Sequence, residues 1–154
     1  MKHVFLNFLF IVMAGTLFQC SKKKDDPTPI KQNVQNDFLE LAGGSFSLTG
    51  QSYIQGEGEY DVYASLPSIL SSIHLNFYGD IPAEGATKVY NLEEAFSGSV
   101  NINTGPSSVF FADEGNVSVT NDSGRLIVKF TNLTITKYND GSTVTSSLLL
   151  TAPK

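Results

Sequence analysis

In several stretches between residues 46 and 151 apolar and polar residues alternate with a period of two. A β-strand sends successive side chains to opposite faces, so the pattern predicts strands with one buried and one wet side. Phe46 and Leu48 share a parity, as do Tyr60, Val62 and Ala64. Ile73, Leu75 and Phe77 alternate with His74, Asn76 and Tyr78, and Val100 and Ile102 lie among Ser99, Asn101 and Asn103. Val117 and Val119, then Leu126, Val128 and Phe130, form the strongest pair. Asn121-Asp122-Ser123-Gly124 separates them, and Asn and Gly tolerate the positive φ of tight turns, which predicts a hairpin. After a second turn signal at Asn139-Asp140-Gly141, Val144, Leu148 and Leu150 share the parity of a last strand within Ser142 to Thr151.

The apolar positions after Gly124 are even up to Phe130 and odd at Leu133 and Ile135. A strand cannot keep one face buried through that change without a bulge or corner near Thr131-Asn132. Such a bend would carry the chain from one sheet to another. Helical spacing is sparse. It occurs at Val34, Phe38, Leu41 and Ala42 before Gly43-Gly44, at Leu66, Ile69, Leu70 and Ile73 behind Pro67, and within Leu92 to Phe96. About eight or nine short strands with these turns predict one antiparallel β-sandwich, with a closed lipocalin-like barrel as the alternative. The predicted core is Phe46, Leu48, Val62, Leu75, Phe77, Val100, Ile102, Val117, Val119, Leu126, Val128, Phe130, Leu133 and Ile135 on two facing sheets.

The N-terminus follows another pattern. Lys2 and His3 precede Val4 to Phe18, which is apolar except for Asn7, Gly15 and Thr16. Fifteen residues as a helix span roughly 22 Å, short of the ~30 Å hydrocarbon core of a bilayer. That length predicts a secretory signal peptide rather than a membrane span. Two cuts fit: Val12-Met13-Ala14 offers an ordinary signal peptidase site, and Leu17-Phe18-Gln19-Cys20 resembles the lipobox of bacterial lipoproteins. Leu17 matches that pattern three positions before the cysteine, whereas Phe18 and Gln19 are larger than the residues usual there. The resemblance implies that Cys20, the only cysteine, carries a diacylglyceryl group on its sulfur.

Ser21-Lys22-Lys23-Lys24-Asp25-Asp26 follows directly, then Pro27, Pro29 and mostly polar residues to Asn36. This is the composition of a solvated, disordered tether. Lys24, Asp25 and Asp26 also resemble the export signal by which Bacteroidota lipoproteins reach the outside of the outer membrane. The resemblance covers residues 1–26. It implies lipid anchoring in the outer membrane facing the cell exterior, with a periplasm-facing anchor as the alternative. The predicted organisation is a signal peptide over 1–19, lipidated cysteine and tether over 20–36, and the β-sandwich domain over 37–154. The layout of that domain loosely resembles small lipoprotein domains of Bacteroidota.

Composition narrows the functions. With no cysteine beyond Cys20 the domain must rest on an ordinary core rather than disulfides. From Pro27 onwards 13 acidic side chains stand against 6 basic ones, a formal charge of −7. A nucleic-acid partner needs a basic footprint and is excluded. Anionic lipid would be repelled too, so membrane contact is expected through the acyl chains on Cys20 alone.

Candidate chemistry is thin. His74 is the one histidine beyond the leader, on the polar parity of its strand, where a solvent-facing imidazole is expected. One histidine and no domain cysteine exclude a multi-histidine zinc site. The Gly-x-Ser-x-Gly elbow, the phosphate-binding loop and the EF-hand loop are absent. No cofactor and no catalytic residue is predicted. Glu57, Glu59 and Asp61 alternate, so a continuous strand would put all three on one face beside Tyr63. Such a row suits a Ca²⁺ site, a glycosidase pair, or simply an acidic solvent face that discourages edge pairing. Tyr63, Tyr78 and Tyr90 are candidate stacking surfaces for sugars or half-buried packing residues. The expected function is a lipid-anchored, non-catalytic structural or interaction domain with a surface-protein or glycan partner. A carbohydrate or small-ligand binding module is the alternative, and a glycoside hydrolase-like enzyme comes third.

Overall fold

The computed structural model of the protein describes residues 36–67 and 71–153. The predicted signal peptide, Cys20, the Lys24-Asp25-Asp26 cluster and the tether up to residue 35 lie outside the described residues, as do Ile69 and Leu70. Every element among the described residues is a strand. In chain order they are β1 (Phe38–Leu41), β2 (Gly44–Ser47), β3 (Thr49–Gln55), β4 (Glu59–Ser65) and β5 (Ser72–Tyr78). There follow β6 (Thr87–Asn91), β7 (Gly98–Asn103), β8 (Val109–Ala112), β9 (Asn116–Asp122), β10 (Arg125–Lys137) and β11 (Thr143–Pro153).

The strands pair antiparallel in the order β2-β1-β11-β10-β8-β7-β5-β4-β3, and β9, with β6 beyond it, branches from β10. The long β10 joins the two limbs. Arg125 to Lys129 ladder with β9, whereas Thr136 and Lys137 pair with β8. Between the two segments the register against β11 shifts from Phe130 to Leu133, and Asn132 takes a φ of 53°. Asn tolerates this left-handed conformation better than most residues. Leu126, Val128 and Phe130 are buried before the shift, Leu133 and Ile135 after it. The change of parity in the sequence is therefore the corner it predicts.

The sheet folds over on itself, and aromatic rings cross the interior between its limbs. Tyr60 of β4 donates its hydroxyl to that of Tyr90 on β6 at 2.7 Å. The Phe77 ring lies 5.3 Å from Tyr60 and 4.7 Å from Tyr90, centre to centre. The open side is nearly shut by side chains. The carboxylate of Asp37 accepts the Thr151 N–H of β11 at 2.8 Å and the Gln51 amide of β3 at 3.1 Å. One antiparallel sheet thus forms a β-sandwich that almost closes into a barrel. Its interior is filled: Tyr60, Ile73, Leu75, Phe77, Leu126, Ile135 and Leu150 are fully buried. Each such side chain contributes about 1.5–3 kcal/mol relative to exposure.

The predicted core is buried with one exception. Phe46 is 38% exposed. It sits on β2, an edge strand paired only with β1, where its ring lies against Gly44. The helical spacing near Val34 to Ala42 also misleads. Phe38–Leu41 is a strand, and Ala42 and Gly43, both with positive φ, turn it into β2. Leu92 to Phe96 forms two tight turns instead of helix, closed by Glu94 N–H to Asn91 carbonyl and Ser97 N–H to Glu94 carbonyl. The described residues form eleven strands rather than eight or nine, because the short β1, β6 and β8 and the largely polar β3 carry too little alternation to be read from the sequence.

Candidate functional site

The outward faces of β4, β5 and β7 hold a network of hydrogen-bonded polar side chains. Glu59, Asp61 and Tyr63 share the outer face of β4, as their alternation predicts, while Tyr60, Val62 and Ala64 point into the core. Glu57 does not join them. It lies in the turn between β3 and β4, where Gly56 N–H bonds the Glu59 carbonyl and Gly58 has a φ of 76°. The two glycines end the strand pattern before Glu57 can extend the row.

Register supplies the partners. Tyr63 pairs with His74 and Asp61 with Asn76 across β4 and β5, and His74 then faces Asn101 and Asn76 faces Ser99 across β5 and β7. His74 Nε2 lies 2.7 Å from Asp61 Oδ1, and the same oxygen accepts the Asn76 amide at 3.0 Å. That amide also reaches Glu59 Oε2 at 3.4 Å, so one NH2 group donates to both carboxylates. The His74 and Tyr63 rings stack with centroids 4.8 Å apart and planes 2° from parallel. That separation is the spacing of neighbouring strands, so both rings stand upright from the sheet. Facing a carboxylate oxygen, which can only accept, Nε2 is the ring nitrogen that carries a proton and donates it.

Burial raises the Asp61 pKa, but the hydrogen bonds from Asn76 and His74, with the charge of the imidazole, outweigh it and lower the pKa overall. The Tyr63 phenol is pushed up by loss of water and by the adjacent Asp61 charge. His74 is the residue whose role sequence reasoning missed. Its polar parity was legible, but its pairing with Asp61 depends on register between strands.

The other candidates separate. Tyr90 is 2% exposed and belongs to the core, so it offers no stacking surface. Tyr78 is 41% exposed and meets Phe96, 82% exposed, edge to face at 5.8 Å. A hollow of about 320 Å³ opens beside the β10 corner, lined by Glu40, Gly43, Gly44, Asn132, Thr145 and Ser147 among others. Another of about 350 Å³ lies between Phe46, Leu66 and Thr104. Among the described residues no group of three or more histidine or carboxylate side chains is placed to hold a metal ion. No family model, curated protein or solved structure matches the chain.

Proposed function

We propose that this protein is a lipid-anchored, non-catalytic interaction domain displayed at the outer membrane, held by acyl chains on Cys20 and facing the cell exterior. The observation that carries the domain part is the filled interior. With Tyr60, Phe77 and Leu75 fully buried in its centre, the sandwich holds its binding capacity on outward faces. The Asn76 amide supports the non-catalytic reading. It donates to both Glu59 and Asp61, engaging the two carboxylates that a glycosidase pair would turn to the scissile bond. The formal charge of the mature region favours partners other than nucleic acid. The anchor rests on Leu17-Phe18-Gln19-Cys20 and on Lys24-Asp25-Asp26.

Metabolic labelling with a fatty-acid analogue tests the anchor. Cys20→Ser should abolish the label, because a hydroxyl cannot form the thioether, and label retained by that variant would sink the proposal. Replacing Lys24, Asp25 and Asp26 with Ala should keep the label yet reduce digestion by protease added to whole cells. Unchanged digestion would mean that the cluster is tether only.

A further inference from the structure

We propose that the outer face of β4, β5 and β7 binds neutral glycan, with Tyr63, Asp61 and Asn101 as contact residues. This rests on the reading of the domain as a non-catalytic interaction module and names the ligand class of its exposed face. A sugar ring presents hydroxyl groups at its rim and C–H bonds on its faces. A site for it needs fixed, directional polar groups beside an apolar surface. The register supplies both. Ser52, Tyr63, His74, Asn101 and Phe111 form one outward row across five strands, and Ile54, Asp61, Asn76 and Ser99 form the next.

His74 covers one side of the Tyr63 ring. Ser52 stands opposite Tyr63 on β3, too small to cover the other side, and the diagonal Ile54 is 60% exposed. Together they make a short apolar shelf for the C–H face of a sugar. Beside it the polar groups are already fixed. Asp61 Oδ1 is held by two donors, and among the described residues its Oδ2 has no hydrogen-bond partner. The Asn101 amide, which leans on Ser99 Oγ at 3.4 Å, continues the row.

Charge decides the kind of glycan. Glu59 and Asp61 are the charged groups on the outward positions of β3, β4, β5 and β7, which carry no Lys or Arg. Uronate or sulfate groups would meet like charge there. Two donors already engage Asp61, so a directional acceptor for hydroxyl groups remains rather than a bare anion for a cationic partner.

The test is affinity electrophoresis of the full chain in mild detergent, through gels containing starch, galactomannan, xylan or laminarin. Polygalacturonate and dextran sulfate serve as anionic probes and polylysine as a cationic one. At least one neutral polysaccharide should retard the protein, and the anionic ones should not. Tyr63→Ala and Asn101→Ala should each raise the apparent Kd at least ten-fold without moving the thermal midpoint by more than a few degrees. Asn101→Asp serves if the alanine variant fails to fold, and Thr120→Ala, on β9, should bind as wild type. No retardation by any neutral polysaccharide, equal binding by the face variants, or retardation by anionic probes or polylysine alone would each overturn the proposal. Reducing ends released in the same samples would instead overturn the non-catalytic reading while leaving the site in place.

Discussion

The hydroxyl pair of Tyr60 and Tyr90 makes a sharp test of how the two limbs of the sheet hold together. Tyr60 is fully buried and Tyr90 is 2% exposed, with their oxygens 2.7 Å apart. Tyr60→Phe leaves the Tyr90 hydroxyl without this partner among Phe77 and the surrounding apolar side chains. An unsatisfied buried polar group costs about 1–3 kcal/mol, whereas removing both partners together is nearly neutral. Each single variant should therefore lose about 1–3 kcal/mol, and the double Phe variant should lose no more than either single one. The coupling recovered from the cycle is then at least the loss of one single variant, about 1–3 kcal/mol, out of a total stability of ~5–15 kcal/mol. Urea titration with an unchanged slope measures it. Losses that simply add in the double variant would refute the argument.

Burial and the Tyr90 hydroxyl also push the Tyr60 phenol far above its ordinary value. Above pH of about 10 the unfolded chain releases this proton while the folded one keeps it. Stability contributed by Tyr60 is thus complete below that pH and lost as pH rises, by up to about 1.4 kcal/mol per unit for one proton. Tyr60→Phe should flatten that alkaline slope.

Phe130 lies 3% exposed at the corner of β10, so Phe130→Ala should cost about 3–5 kcal/mol, while the exposed Thr131 should accept Ala within about 0.5 kcal/mol. Equal urea midpoints for the two variants would contradict the assigned faces. Asp37→Ala removes the carboxylate that joins β3 to β11 and should cost about 2–3 kcal/mol. Hydrogen exchange at the Thr151 amide should quicken in that variant, and unaltered protection there would show that the closure does not depend on Asp37.

The hairpin of β9 and β10 was legible because its signals are local. Ser123 and Gly124 both take positive φ, as a two-residue turn demands, and Asp122 pairs with Arg125. The β10 corner was legible because a parity change leaves a sheet no other remedy. What stayed hidden depends on distant partners. Val34, Phe38, Leu41 and Ala42 have the spacing of a helix, and the strand identity of Phe38 to Leu41 comes from lying between β2 and β11. Phe46 has the alternation of a core residue but falls on an edge. Tyr90 resembles an exposed aromatic until β6 is folded over Tyr60. On the outward face of β4, β5 and β7, the row on β4 could be read from spacing alone. Its linkage to His74, Asn76 and Asn101 could not, because a shift of one residue in register would pair each with another partner.

The pairing of β1 with β11 sets the order in which the molecule can assemble. Phe38 and Leu149 are neighbours in the sheet yet 111 positions apart in the chain. The first strand has no ladder on that edge until the last has emerged, and Asp37 cannot reach Thr151 before then. Closing so long a loop carries an entropic cost that local contacts cannot offset early, so folding should be slow and late. While the chain is incomplete, Leu39 and Leu41, both buried in the finished domain, have no core to enter. A topology of this kind postpones closure of the domain until its last strand is available, which fits the export proposed above.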